Sequence, residues 1–449
     1  VMCMGTQDDE IGTFRRFINE LYPTGIVSIV SDTWDFWQVM TEFTVELKED
    51  ILAREGKTVF RPDSGDPVKI ICGDPDAPEG SRGISMFLVP KILVNVDGSL
   101  AEKNTLSCGS IEHKMGIHAS STCVMNFDQA KGYLIGDVNK GLAAMFTMMN
   151  FERIGVGIQG IGAASRSYQN ALEYAKERKQ SRALSGIKFP DELADSIMVH
   201  GDVRRMLLNM KALTEGSRAL SSYISLQLDI ATYGEGEQKQ KAESLVALMT
   251  PLAKAFFTDM AFDSTVAGQQ VLGGHGYIRE WGQEQLVRDC RIAQIYEGTN
   301  GIQAMDLMVR KVFASHGQLM SVFIEEVNAY LAAERDNEMT FFSHTLKDAL
   351  SLLSSTTEQL LIKGEEDPDV LGAAANDYLH LFGYVAMAFV WAKMAENASL
   401  HVQKNDTFYI SKVKTAKYYF IKVLPRIHAL AKTALVDADI LFNIQDTEF

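Results

Sequence analysis

From about residue 140 to residue 434 the chain repeats apolar side chains at helical spacing, one stretch after another, with short links between. The stretches fall at about 140–180, 202–234, 239–272 and 299–314, then at Phe323–Arg335, Phe342–Ile362, Ala373–Glu396 and Ser411–Ala434. Residues three or four apart share one face of a helix, so each stretch carries an apolar stripe that must be buried against a neighbour. The spacing predicts a four-helix bundle over the first four, with Gly155, Gly160 and Gly162 as close contacts, and an extra helical domain after it. Before residue 139 the period changes. Gly83–Pro90 and Thr122–Phe127 read as strands, with turn chemistry at Val96-Asp97-Gly98 and from Asp128 to Gly132. The predicted fold is mainly α, with a partial β-domain and a small α/β fragment ahead of the helices.

That α/β fragment occupies residues 1–76. Phe14–Leu21 has a helical pattern, Gly25–Val30 reads as a buried strand, Trp34–Arg54 as a long helix and Thr58–Phe60 as another strand. Loops at the carboxyl ends of such strands carry function, and Ser31-Asp32 and Arg61-Pro62-Asp63-Ser64-Gly65-Asp66-Pro67 fall there. The stretch resembles an interior piece of nicotinamide phosphoribosyltransferase. The resemblance implies that Arg61 and Asp63 contact phosphate and ribose, and that Asp32 lies near the nicotinamide. Arginine suits phosphate because its planar fork donates in pairs. That family's catalytic histidine segment and later glycine-rich phosphate loop have no counterpart, so these residues do not make a complete enzyme of that kind. The join falls in Gly73-Asp74-Pro75-Asp76-Ala77-Pro78-Glu79-Gly80-Ser81. Each part stops mid-domain there, which favours a recombined or misassembled, chimeric reading frame over a natural two-domain fusion.

Composition narrows the function classes. With 46% hydrophobic and 22% charged residues the 449-residue chain is globular rather than disordered. A net charge of -15 argues against a general nucleic-acid binder, although Lys176, Arg178, Lys179 and Arg182 form a local basic patch. Five scattered cysteines suit a reducing compartment, and no basic-then-apolar signal or evident membrane-length run is read, so a cytoplasmic location is expected. The chain begins at Val1 rather than Met, so its true start is expected to lie further upstream. Cys108, His113, His118 and Cys123 recur every five residues, but zinc sites use closer paired spacings, and no metal is expected. The 20 methionines read as adaptable core.

The densest chemistry lies at Ile295-Tyr296-Glu297-Gly298-Thr299-Asn300-Gly301-Ile302-Gln303. One carboxylate sits at a turn of small residues, directly before an amphipathic helix that Thr299 or Asn300 can cap. A helix start favours an anionic ligand, and a carboxylate just outside it can act as a base where apolar surroundings raise its pKa. Together with Gly273-Gly274-His275-Gly276-Tyr277 and Arg288-Asp289, the segment resembles the catalytic end of the acyl-CoA dehydrogenase family. The resemblance covers roughly residues 77–449. It divides them into a partial β-domain (77–138), the C-terminal helical bundle (139–315) and a C-terminal helical extension (316–449). The extension resembles a subgroup acting on 3-methylthiopropanoyl-CoA or related acyl-CoAs.

What the resemblance implies is an FAD-dependent α,β-dehydrogenation of an acyl-CoA thioester. Glu297 would be the base, with its own backbone N–H polarising the thioester carbonyl. Gln270, Gly273, Gly274 and Arg178 would contact the FAD of a neighbouring subunit, and Thr299 and Asn300 the FAD of their own. Arg153 would lie near the acyl-CoA and Tyr296 would line the acyl pocket. At Arg153 the match is imperfect, because Asn150 stands where some relatives carry Asp. An electron-transfer flavoprotein or similar acceptor and a homodimeric or homotetrameric assembly are the partners implied. The family's amino-terminal helical domain and the first half of its β-domain have no counterpart, so the chain alone is expected to bind FAD weakly and to have little activity. Two other readings are a phosphoribosyl pyrophosphate-binding fragment carried by Arg61 and Asp63, and a non-catalytic assembly module using residues 320–449.

Overall fold

Long apolar helices need partners before they are stable, and a computed structural model of the chain shows how they find them. It describes residues 10–21, 24–30, 42–53, 55–61, 78, 80–334, 337–402 and 406–448. The chain divides into two units, Val1–Met149 and Asn150–Phe449.

In the first unit, helix α1 (Glu10–Arg16) precedes strand β1 (Thr24–Val30), and helix α2 (Lys48–Ala53) precedes strand β2 (Glu55–Arg61). β1 and β2 pair in parallel from Thr24↔Glu55 to Val30↔Arg61, the arrangement the strand–helix–strand pattern predicts. Arg15 on α1 reaches Asp50 on α2 at 3.1 Å. Further on, β3 (Met86–Leu88) pairs with β8 (Tyr133–Ile135), β4 (Ile92–Val94) with β5 (Leu100–Lys103), and β6 (Leu106–Ile111) with β7 (Cys123–Phe127), all antiparallel. Asn104 pins this region. Its amide donates to the carbonyls of Pro90 and Lys131, and its Oδ1 accepts from the Thr105 and Lys131 N–H groups.

Helix α3 (Gly141–Glu177) leads into the second unit, which adds α4 (Gly201–Tyr233), α5 (Gly236–Leu272), α6 (Gln283–Arg291) and α7 (Asn300–Met305), the last extended as a π-helix over Asp306–Phe313. Next come α8 (Gln318–Leu331), α9 (Asn337–Glu366), α10 (Asp369–Ser399), α11 (Thr407–Tyr418) and α12 (Ile427–Ala434). The stretch predicted as one helix over Ser411–Ala434 is broken by a π-turn at Tyr419–Val423 and a 3-10 turn at Leu424–Arg426. Pro425 lacks the N–H a continuing α-helix would use. One continuous set of buried side chains, from Ile154 through Phe256 and Phe323 to Trp391 and Ala438, runs through the bundle and the helices after it.

Glycines set the α3–α5 contact, though not the three that spacing suggests. A Cβ at Gly157 would lie 2.4 Å from the Ala253 carbonyl oxygen, and one at Gly160 would lie 3.2 Å from Ala261 Cβ. Gly155 has nothing nearer than 4.0 Å and Gly162 nothing within 4 Å, so neither is a close contact. Two segments, Gly236–Tyr277 and Asp369–Ser399, are long and apolar enough to cross a membrane by composition, which the sequence reading missed. Most of each apolar window is buried against other parts of the protein, as core helices of a bundle are.

Candidate functional site

The Glu297 turn is built from a strained backbone and two side-chain braces. After α6 and a 3-10 turn at Ile292–Gln294, Glu297 takes φ 55° and Gly298 φ 84°, both left-handed. For glutamate that conformation costs about 1–2 kcal/mol. Such strain persists only where surroundings over-determine it. The first brace is Gln303, fully buried, whose Nε2 donates to the Glu297 carbonyl at 3.0 Å. The positive φ favours glycine at residue 298, and a Cβ there would stand 2.7 Å from that Nε2 and displace the brace. The second is Thr299, the N-cap of α7, whose hydroxyl accepts from the Ile302 N–H at 3.3 Å. The Glu297 side chain is half-buried, and the Tyr296 hydroxyl donates to Gln159 Oε1 on α3.

Behind the turn lies a polar cluster that sequence reasoning missed. The Asn300 side chain faces α5: its Nδ2 donates to Asp259 Oδ1 at 2.6 Å, and its Oδ1 accepts from Lys254 Nζ at 2.8 Å. Only backbone is therefore left at Asn300 for a ligand at the helix start. Lys254 is fully buried, and desolvation lowers its pKa to about 8, with Asp259 and Glu297 acting in the opposite direction. Asp259 Oδ2 sits 3.1 Å from His380 Nε2 on α10. Burial opposes ionisation of Asp259, but hydrogen bonds from His380 and Gln294 hold its pKa below the usual carboxylate range. The available signal was a lysine in the middle of the apolar run Leu252-Ala253-Lys254-Ala255-Phe256-Phe257. Charge placed there is stable only with partners. Arg153 is likewise buried, 3.4 Å from Asp306 in the π-helix that continues α7.

Gln270, Gly273, Gly274 and Arg178 are all exposed. The Tyr174 hydroxyl, one helical turn before Arg178, lies 3.0 Å from His275 Nδ1, which places the end of α3 beside the glycine turn. His275 in turn stacks on Trp281 at 4.4 Å. Gly273 has φ 59° and, like Gly274, nothing within 4 Å of where a Cβ would be. Bare backbone at the end of a helix that carries an exposed amide, with Arg178 at the neighbouring helix end, has the donor chemistry a dinucleotide pyrophosphate needs. Sixteen residues of helix, about 24 Å at 1.5 Å each, separate Lys254 from Gln270 along α5, so this subsite is distinct from the Glu297 turn. The loop beyond Arg178 is gathered by Asp195, fully buried, which accepts from the Ala183, Lys188 and Phe189 amides and from Arg182.

In the first unit, Asp32 and Asp63 lie outside the described residues, and Arg61 is placed only as the last backbone pair of β1 and β2. Cys108 and Cys123 fall on the paired strands β6 and β7, and the His118 ring bonds the Lys114 carbonyl at 2.8 Å.

Residues 139–312 match the family described as acyl-CoA dehydrogenase, C-terminal domain, and residues 323–445 the one described as acetyl-CoA dehydrogenase C-terminal like. The 3-methylmercaptopropionyl-CoA dehydrogenase of Ruegeria pomeroyi is 40% identical over 365 residues, covering 79% of this chain and 60% of that protein. The chain spans about 60% of the length of the first curated relatives it matches. The nicotinamide phosphoribosyltransferase of Acinetobacter baylyi is 70% identical over 83 residues, 17% of this chain and 16% of that enzyme. An acyl-CoA dehydrogenase from Bacillus anthracis, solved in complex with FAD, has the same fold over 80% of this chain and 62% of its own, with a TM-score of 0.61 at 20% identity.

Proposed function

Residues 139–312 and 323–445 belong to the acyl-CoA dehydrogenase family, and on that premise we propose that Glu297 is the base of an FAD-dependent acyl-CoA dehydrogenase. The observation that carries this reading is the Glu297 turn itself. A half-buried carboxylate is held in a left-handed conformation by Gln303, one residue-pair ahead of a capped helix start.

A hydrogen on the carbon next to a thioester carbonyl is weakly acidic, so its removal needs a positioned carboxylate and a donor on the thioester oxygen. The Glu297 carboxylate takes that proton, and the Glu297 N–H donates to the carbonyl oxygen as negative charge builds there. Gln303 fixes the Glu297 carbonyl and so the plane of the Glu297–Gly298 peptide, which holds the backbone on one side of the base before substrate arrives. Bound FAD would supply the acceptor for the hydride leaving the β-carbon. Gln270, Gly273, Gly274 and Arg178 would hold the pyrophosphate of a neighbouring subunit's FAD, and the helix start at Thr299 and Asn300 would hold the FAD of the same subunit. Tyr296, bonded to Gln159, borders the acyl pocket through its ring. The identity with the Ruegeria enzyme favours a short acyl-CoA such as 3-methylthiopropanoyl-CoA. A flavoprotein carrier would take the electrons from the flavin, and the working assembly would be a homodimer or homotetramer. The phosphoribosyltransferase-like segment spans too little of its relative to carry that enzyme's reaction.

The test is anaerobic addition of 3-methylthiopropanoyl-CoA to the chain in saturating FAD. Because the first half of the β-domain that flanks the flavin has no counterpart here, only slow loss of the oxidised-flavin absorbance is expected, slowed a further hundredfold or more by Glu297→Gln, roughly the range for removing a general base. Equal rates for both proteins would remove Glu297 from the reaction.

A further inference from the structure

The cluster behind the Glu297 turn reaches beyond the bundle. Asp259 is shared: one carboxylate oxygen accepts from Asn300 and Gln294, each at 2.6 Å, and the other faces His380 at 3.1 Å. His380 belongs to α10, within the second family match, and its other ring nitrogen, Nδ1, lies 2.9 Å from the Asn376 carbonyl. A carboxylate and a carbonyl can only accept, so both ring nitrogens must donate. That requires the imidazolium, and its charge is the counterpart of Asp259.

We propose that His380 is a positioning residue for the Glu297 turn. The hydrogen bond to the Asn376 carbonyl fixes its ring, the one to Asp259 orients that carboxylate, Asp259 anchors Asn300, and Asn300 fixes the helix start that follows the base. A helix after the bundle thereby bears on the geometry of the turn that carries Glu297. The proposal deepens the reading of Glu297 as base and rests on it for its catalytic consequence.

The surroundings support a charged histidine. Facing the pair are Asp263 and Lys254 from α5, Asp377 from α10 itself, and Arg426 from the turn after α11. Burial works against the His380 charge, but the bond to Asp259 and then the Asn376 carbonyl raise its pKa above the ordinary histidine value. A histidine raised on folding contributes its anchoring fully below its unfolded pKa and loses it as pH climbs through the folded value. At that point one of the two N–H groups is gone, and either Asp259 or the Asn376 carbonyl loses its donor.

The experiment compares wild type, His380→Leu and His380→Gln by amide hydrogen exchange of residues 295–303, in the full chain without cofactor, across pH. Exchange of α4 reports whether the fold is intact. Wild type should show extra opening of 295–303 as pH passes the His380 pKa, beyond the intrinsic rise that α4 also shows. In His380→Leu the segment should exchange roughly tenfold faster at all pH, within the coupling range of a shared network. His380→Gln, which keeps one donor and does not titrate, should lose the extra pH-dependent opening. The proposal is overturned if 295–303 in His380→Leu matches wild type while α4 stays protected. Should the leucine variant unfold, an unchanged pH profile in His380→Gln overturns it. In flavin reduction by acyl-CoA, the glutamine variant should lower kcat and remove the alkaline limb, with KM little changed. If Glu297→Gln reduces flavin as fast as wild type, the reading of Glu297 fails, while the exchange data still judge His380.

Discussion

Strand β8 and helix α10 are both apolar in sequence, yet they meet opposite fates. Every residue of β8 is exposed, and β6 is exposed over all but its first residue. Along α10, by contrast, Tyr378, Phe382, Val385, Phe389 and Trp391 are all buried. The difference lies in what each element needs. A helix satisfies its own backbone hydrogen bonds and is free to bury side chains on any neighbour. A two-stranded ribbon leaves half its backbone groups and at least one face uncovered until further strands or helices join it. Stability should therefore reside in the helical unit, and substitutions can test that division.

The largest effect is expected at Phe389, which packs edge-on against Tyr223, Phe323 and Tyr330 with ring centroids 5.8, 6.2 and 5.5 Å away. Phe389→Ala should cost about 3–5 kcal/mol, read as a lower urea midpoint of the helical circular-dichroism signal. Next comes Gly157→Ala, whose methyl would meet the Ala253 carbonyl and force α3 from α5, costing about 1–3 kcal/mol. Gly155→Ala, one turn-half away with open space around it, should be neutral or stabilise by up to about 1 kcal/mol. Equal losses at the two glycines would remove the close α3–α5 approach as their explanation.

A smaller, local effect is expected at Asp195. Burial opposes its charge, but the Ala183, Phe189 and Lys188 amides and Arg182 outweigh that and hold its pKa at about 2. The folded value lies below the unfolded one, so the contribution is present above the ordinary carboxylate range and is lost as pH falls toward 2. Proteolytic nicking between Arg182 and Asp195 by an acid-active protease should rise over that window, and Asp195→Asn should show the rise already at neutral pH. Smallest of all is Leu134→Ala on β8, expected within about 0.5 kcal/mol of wild type in the same urea titration. A loss comparable to Phe389→Ala would overturn the contrast between the two units.

Much of the helical architecture could be read directly, because period and burial are local properties of a helix. The stretches predicted at 202–234 and 239–272 correspond to Gly201–Tyr233 and Gly236–Leu272. Near Pro425 the reading failed, since an apolar pattern continues through a residue that cannot continue the hydrogen bonding. The strained turn was legible as Glu297-Gly298-Thr299, yet its braces were not. Gln303 could be recognised as a brace only once its amide was seen on the Glu297 carbonyl.

By itself the sequence determined most of the helices, the strand pair of the first unit and the carboxylate-bearing turn, each a matter of residues near one another along the chain. Only tertiary structure decided that Gly157 rather than Gly155 or Gly162 lets α3 and α5 touch, and that Lys254, Asp259, Asn300 and His380 meet. Those four come from three helices spread over more than a hundred positions, and no spacing rule connects them. What brings them together is the cost of leaving a buried charge without a partner, a term that exists only after the helices have packed.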